Sequence, residues 1–132
     1  MAIIYLSGPI NGCSDDECST WRDEVKARYG VENCIDPMRR DYRGREDESV
    51  NEIVTLDKAD IGNAVVMLAN CWQTSWGTAM EIHYAHSIGI PVIAVVPLFT
   101  RVSPWLRYHA CIVRSLPEAY QIIEGTADGD VD

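Results

Sequence analysis

Short apolar runs that alternate with segments of helical periodicity constrain the fold of this chain most. Ile3 to Leu6 is the first run, and Ser7-Gly8-Pro9 ends it. Ala64 to Ala69 is the second, and Pro91 to Val96 is the third. Each reads as a strand buried on both faces. Val31 to Ile35 and Ala110 to Val113 complete the strand set. Between them, Thr20 to Tyr29 carries Trp21, Val25 and Tyr29 on one helical face and stops at Gly30. A second helix is expected from about Asp47 to Ile61, with Val50, Ile53, Val54 and Leu56 as its apolar set. A third opens after Ser75 and ends near Gly89, before Pro91. A short helix near Pro104 to His109 follows, and a last one begins at Leu116 and carries Ala119, Tyr120, Ile122 and Ile123.

Parallel strands need crossover connections, and helices of this length supply them. The pattern therefore implies an α/β fold with a five-stranded parallel sheet, a flavodoxin-like or Rossmann-like three-layer sandwich. The 132 residues suffice for one domain with its own core. We place that domain at residues 1–124, followed by an acidic, flexible tail at 125–132.

A net charge of −9 argues against a nucleic-acid partner held through phosphates, but leaves room for a small anionic ligand beside a local arginine. No apolar run approaches the ~20 residues needed to cross a bilayer, so no membrane role is expected. The start, Met1-Ala2-Ile3-Ile4-Tyr5-Leu6, lacks a basic leader and runs into a strand. Five cysteines without a C-x-x-C pair, and three histidines not spaced with them, point to neither a disulfide framework nor a metal site. A cytoplasmic location fits this usage, and no cofactor is expected.

The segment Ser75-Trp76-Gly77-Thr78-Ala79-Met80-Glu81-Ile82 is the most informative for function. It opens a helix at the C-terminal edge of the sheet, where ligands of open α/β folds bind. Glu81 falls in or near the first turn, where the helix dipole favours an ionised carboxylate. Gly77 and Ala79 leave room for a ligand, and Ser75 can cap the helix. An accessible, ionised carboxylate suits a glycosyl-transfer nucleophile. A glutamate that only complements the dipole is the plainer reading. The turn Ser7-Gly8-Pro9-Ile10-Asn11-Gly12 follows the first strand and can turn backbone N–H groups to the same edge. It is equally an ordinary strand-to-helix turn. Asp57 and Asp60 lie near a helix end, where acids are disfavoured unless solvated or functional.

Together these residues resemble the nucleoside 2-deoxyribosyltransferase family, which includes hydrolases of deoxynucleoside 5′-monophosphates. The markers are Ile4-Tyr5-Leu6-Ser7-Gly8-Pro9-Ile10, Asp57-Lys58-Ala59-Asp60-Ile61, Leu68-Ala69-Asn70, Ser75-x-Gly77-Thr78-Ala79-Met80-Glu81-Ile82-x-Tyr84-Ala85 and Pro91-Val92-Ile93. The resemblance implies that Glu81 is a nucleophile that attacks the anomeric carbon. It implies that Asp57 is an acid near the leaving base, and that Tyr5 holds Glu81 by a hydrogen bond. Ser7, Gly8, Pro9, Ile10, Asn11, Gly77 and Met80 fall among the implied substrate contacts. Ser75 matches a position near the 5′ end of the sugar, and a hydroxyl there tolerates a phosphate that a carboxylate would repel. Asp41, in the loop from Met38 to Gly44, falls where a base-reading group sits. It is equally a surface acid beside Arg39, Arg40 and Arg43. Ser103 and Arg107 resemble a segment that reaches a neighbouring subunit's site, which implies a homodimer or larger even homo-oligomer with shared sites.

The chain departs from the family at three places, one being the acidic tail, which offers no counterpart of the C-terminal carboxylate that some transferases use near a partner's site. Asn11 stands where phosphate-binding members tend to have arginine, and Val65 where many have aspartate. Two other functional readings stay open, beside a purely structural interaction protein that only the acidic surface and tail favour. A phosphoribohydrolase of the cytokinin-activating type also uses a Gly-Thr-Glu-like helix start, but its paired-glycine lead-in is missing. A nucleotide-binding module that has lost catalysis is the other, and the joint presence of Tyr5, Asp57 and Glu81 argues against it. Apart from the structural reading, the expected ligand in all cases is a small nucleoside or nucleotide.

Overall fold

In a computed structural model, which describes residues 3–128, five strands form one parallel sheet. They are β1 (Ile4–Ser7), β2 (Cys34–Ile35), β3 (Val66–Asn70), β4 (Val92–Val95) and β5 (Cys111–Val113). Their spatial order is β2-β1-β3-β4-β5, the flavodoxin-like order. In the central pair, Tyr5 lies opposite Met67 and Ser7 opposite Ala69. The helices are α1 (Asp15–Tyr29), α2 (Val50–Gly62), α3 (Trp76–Ser87), α4 (Pro104–His109) and α5 (Leu116–Asp128). No helix among the described residues is long and apolar enough to cross a membrane.

Strand side chains alternate between two cores, as a period of two requires. Ile4, Leu6, Leu68, Ile93 and Val95 pack with Trp21 and Val25 of α1 and with Ala119 and Tyr120 of α5. Tyr5, Met67, Ala69 and Val92 pack with Ile61 of α2 and with Ile82 and Ala85 of α3, and Leu106 of α4 joins them. The result is the expected three-layer sandwich.

Several boundaries differ from the sequence reading. α1 begins at Asp15 rather than near Thr20, because Ser14 and Glu17 form a capping box. Ser14 Oγ accepts from Glu17 N at 3.1 Å, and Glu17 Oε1 accepts from Ser14 N at 2.8 Å. The expected strand 31–35 shrinks to Cys34–Ile35, because Val31–Asn33 folds into a 3-10 turn behind Gly30 (φ 95°). A second 3-10 turn, Pro37–Arg39, starts the charged loop, and Asp36 caps it. α5 continues to Asp128, into the segment expected to be a flexible tail; residues 129–132 lie outside the described ones.

The helix α2 brings the largest difference. Its apolar set does not face the core: Val50 and Val54 are 57% and 47% exposed, Ile53 is half-buried, and Ile61 is the buried residue of the helix. Val50, Ile53, Val54 and Asp57 follow a spacing of three, four and seven, so they share one helical face. That face lines an open cleft.

Candidate active site

The cleft lies where the strand order reverses, between β1 and β3, beside their C-terminal ends. Its volume is about 320 Å³. Gly8, Ile10 and Asn11 form one wall, Pro37, Met38, Arg40, Tyr42 and Arg43 a second, and the α2 stripe a third. Ser75, Gly77, Thr78 and Glu81 close it from α3.

Glu81 sits in the second turn of α3, not the first, so the helix dipole is weak at its side chain. β1 holds it instead. Tyr5 and Ser7 are two residues apart on that strand and therefore project to one face. Tyr5 Oη donates to Glu81 Oε2 at 3.0 Å, and Ser7 Oγ donates to Glu81 Oε1 at 2.7 Å. Each carboxyl oxygen thus has its own donor, and the ring and the hydroxyl are both fully buried.

Burial pushes the Glu81 carboxyl up to about 7. The hydrogen bond from Ser7 opposes that rise, and the nearby Asp57 adds to it. Asp57 is raised as well, first by burial, while its hydrogen bond with Glu81 and the charge of Arg40 pull it down. Each carboxyl acts on the other's titration, so the two are treated as a pair. The expectation of a freely ionised carboxylate favoured by the dipole is therefore corrected: desolvation outweighs the helix end. Tyr5 stays protonated, since burial and the Glu81 charge both raise its phenol far above the usual range.

A charged bracket stands next to this pair. Arg40 Nη2 reaches Asp60 at 2.5 Å and Asp57 at 3.8 Å, and Arg39 Nη2 contacts both oxygens of Asp60 at 3.0 Å. Burial would raise Asp60, but the two arginines hold it below the ordinary carboxylate range. Asp60 is thus a structural anion, not a solvated one, and it keeps Arg40 largely to itself.

Other sequence candidates lie elsewhere. Pro9 is buried behind the wall. Met80 is 66% exposed on the outer side of α3. Asp41 is outside the lining: Arg43 binds it through Nε at 2.9 Å and Nη2 at 2.6 Å, which holds its carboxyl down at about 2. Ser103 caps α4 and lines a separate cavity of about 450 Å³ between α3 and α4, which shares Ser75 and Thr78 with the cleft. Arg107 lines neither space. Within one chain, then, Ser103 and Arg107 do not meet Glu81.

Two contributions escaped the sequence reading. Ser7 was expected to offer backbone, yet its hydroxyl binds Glu81; its i, i+2 relation to Tyr5 carried that signal. Arg40 and Tyr42 line the cleft as well; their loop, Met38 to Gly44, is the one the resemblance places toward the base, with Asp41 as its singled-out residue.

The fold is the one the resemblance implied. The 2-deoxyribosyltransferase of the psychrotolerant bacterium Bacillus psychrosaccharolyticus superposes with a TM-score of 0.72 at 16% identity, over 89% of this chain and 90% of that one. The CMP N-glycosidase BcmB of Clostridium botulinum superposes with a TM-score of 0.62 at 15% identity, over 92% of this chain and 97% of that one. The chain belongs to the family described as a domain of unknown function, DUF4406, whose model matches residues 2–94. Tyr5, Ser7, Asp57 and Glu81 fall inside that match, and α4 falls outside it. No curated protein matches the chain in sequence.

Proposed function

We propose that this protein cleaves the N-glycosidic bond of a deoxynucleoside or its 5′-monophosphate, with Glu81 as nucleophile. The observation that carries this reading is the Glu81 carboxyl, held by Tyr5 and Ser7 in an open cleft that Asp57 also lines. Ionised Glu81 attacks the anomeric carbon, and the C–N bond to the base breaks. Asp57, carrying a proton, gives it to the departing base. The positive charge that develops on the sugar is met by the carboxylate beneath it. Water then hydrolyses the glycosyl ester, or a second base takes the sugar. The apolar stripe of α2 and the Tyr42 ring offer a surface for a planar base.

Ser75 favours the 5′-monophosphate. It lines the cleft at the N-terminus of α3, where backbone N–H groups and the dipole suit an anion. The similarity to a CMP N-glycosidase supports the same reading. Incubation with nucleosides and 5′-monophosphates, with and without an acceptor base, tests it. Free base from monophosphates is the expected product. Transfer to the acceptor would make the protein a transferase, and no turnover of any compound would overturn the reading.

Assembly is part of the proposal. Trp76, Met80, Trp105 and Tyr108 expose 84, 66, 75 and 74% of their surface on α3 and α4. Leu106 packs inward, so Trp105 is not a core residue. Aromatic side chains this exposed are typical interface anchors. We expect an even-numbered homo-oligomer in which Ser103 and Arg107 of one copy complete the cleft of another. Light scattering should report a dimer or larger, and Arg107→Ala should weaken substrate affinity. A fully active monomer would refute the shared cleft.

A further inference from the structure

Among the described residues, Arg22 is the largest side chain that is wholly buried, and no step proposed above uses it. A buried guanidinium is costly unless every donor finds a partner. Here the partners are backbone atoms of the cleft's floor. Arg22 Nη2 donates to Gly8 O at 3.1 Å, and Nε donates to Leu6 O at 3.4 Å. Those two carbonyls flank Ser7, whose hydroxyl holds Glu81. Nη1 anchors the guanidinium to its own helix at Cys18 O, 2.6 Å away.

The ion-pair partner is as specific. Arg22 Nε lies 3.6 Å from Asp36 Oδ1, and that same oxygen accepts from Met38 N at 2.8 Å. The other oxygen of Asp36 takes Lys26 Nζ at 2.8 Å. Asp36 caps the turn from which Met38 and Arg40 enter the cleft. Gly8 fits this arrangement because a Cβ there would lie 2.8 Å from the Trp21 ring and 3.4 Å from Arg22 Nη2.

We propose that Arg22 is a positioning residue that fixes Ser7 against Glu81 and, through Asp36, holds the Met38–Arg40 wall in register with it. One cation under the sheet edge ties the nucleophile's support to the substrate-facing loop. Lysine could keep the charge but not the three-way fork, since guanidinium geometry is rigid and an ammonium's is not. The inference rests on Glu81 as nucleophile, so its test includes a readout that needs no turnover.

The experiment compares Arg22→Lys and Ser7→Ala, alone and combined, with Asp36→Asn. Thermal unfolding first shows which variants are folded. For Arg22→Lys we expect kcat to fall by roughly 10²-fold, the scale of a misplaced reacting group, with KM nearly unchanged. In the Ser7→Ala background the same change should cost little more, because both act through one hydrogen bond. Asp36→Asn keeps an acceptor for Met38 N but loses the ion pair, and it should raise KM several-fold with kcat largely kept. Titration of carboxyl-labelled glutamate by ¹³C NMR, with Glu81→Gln for assignment, reads the contact directly. Loss of the Ser7 bond moves the Glu81 midpoint upward, and Arg22→Lys should move it the same way. Independent, multiplicative losses for Arg22→Lys and Ser7→Ala would overturn the proposal. So would an unmoved Glu81 midpoint in a folded Arg22→Lys. If that variant does not fold, unchanged KM in Asp36→Asn overturns it instead. A protein that turns over no nucleoside would refute the proposed reaction, while the NMR titration would still decide the role of Arg22.

Discussion

Glu81→Gln is expected to lower turnover by at least about 10³-fold, since it removes the proposed nucleophile. The isosteric amide keeps an oxygen for one of the two donors, Tyr5 or Ser7, so the fold should persist. Stability should move the other way. A carboxyl whose proton affinity is raised in the folded state makes the native protein lose stability as pH rises, from the unfolded carboxylate value of 4.5 through about 7. Glutamine escapes that loss. Its Tm should exceed that of the wild type at about pH 8, and the margin should shrink toward about pH 4, where Glu81 is protonated in both states. Near-normal activity in the variant would end the mechanism, and equal melting curves at high pH would contradict the burial argument.

Asp57→Asn is expected to cost about 10²-fold in rate, the scale of lost general-acid work. Its pH profile is the sharper test. On the proposed mechanism, the working form of the wild type carries one proton between Asp57 and Glu81. Activity should therefore fall on the acid side, where both are protonated, and on the alkaline side, where both are ionised. Asparagine removes the alkaline limb, since nothing is left to lose the leaving-group proton. The acid limb, where Asp57 is already protonated and uncharged in the wild type, should stay close to its place. Because good leaving groups need little protonation, a substrate with an activated base should recover much of the loss. An unchanged bell in the variant would assign the alkaline limb to another group.

The strand order was readable because β1, β3 and β4 are apolar runs with no polar alternative. Burial on both faces writes itself into sequence. The start of α1 was also written there, as Ser14-Asp15-Asp16-Glu17, but the polar run looked like loop because its apolar face begins later. The stripe Val50, Ile53, Val54 shows where pattern fails. Helical periodicity reports that one face is apolar, not whether protein or ligand covers it. The place of Glu81 after β3 is legible in the sequence, but its proton affinity is not. That property depends on Tyr5, Ser7 and Asp57, which come from 24 to 76 residues away in the chain. Arg22 was invisible for the same reason: on a helix full of charges, nothing local says which arginine will be buried.

The two ends of the sheet are unequal to any templating role. β2 offers two residues between two 3-10 turns, and β5 offers three between the helices α4 and α5. A row of free N–H and C=O groups that short cannot register an incoming strand. Copies of this protein should therefore not polymerise edge to edge, even when concentrated. Contacts between them are left to helical surfaces, where side-chain shape limits the number of partners and lets an assembly close.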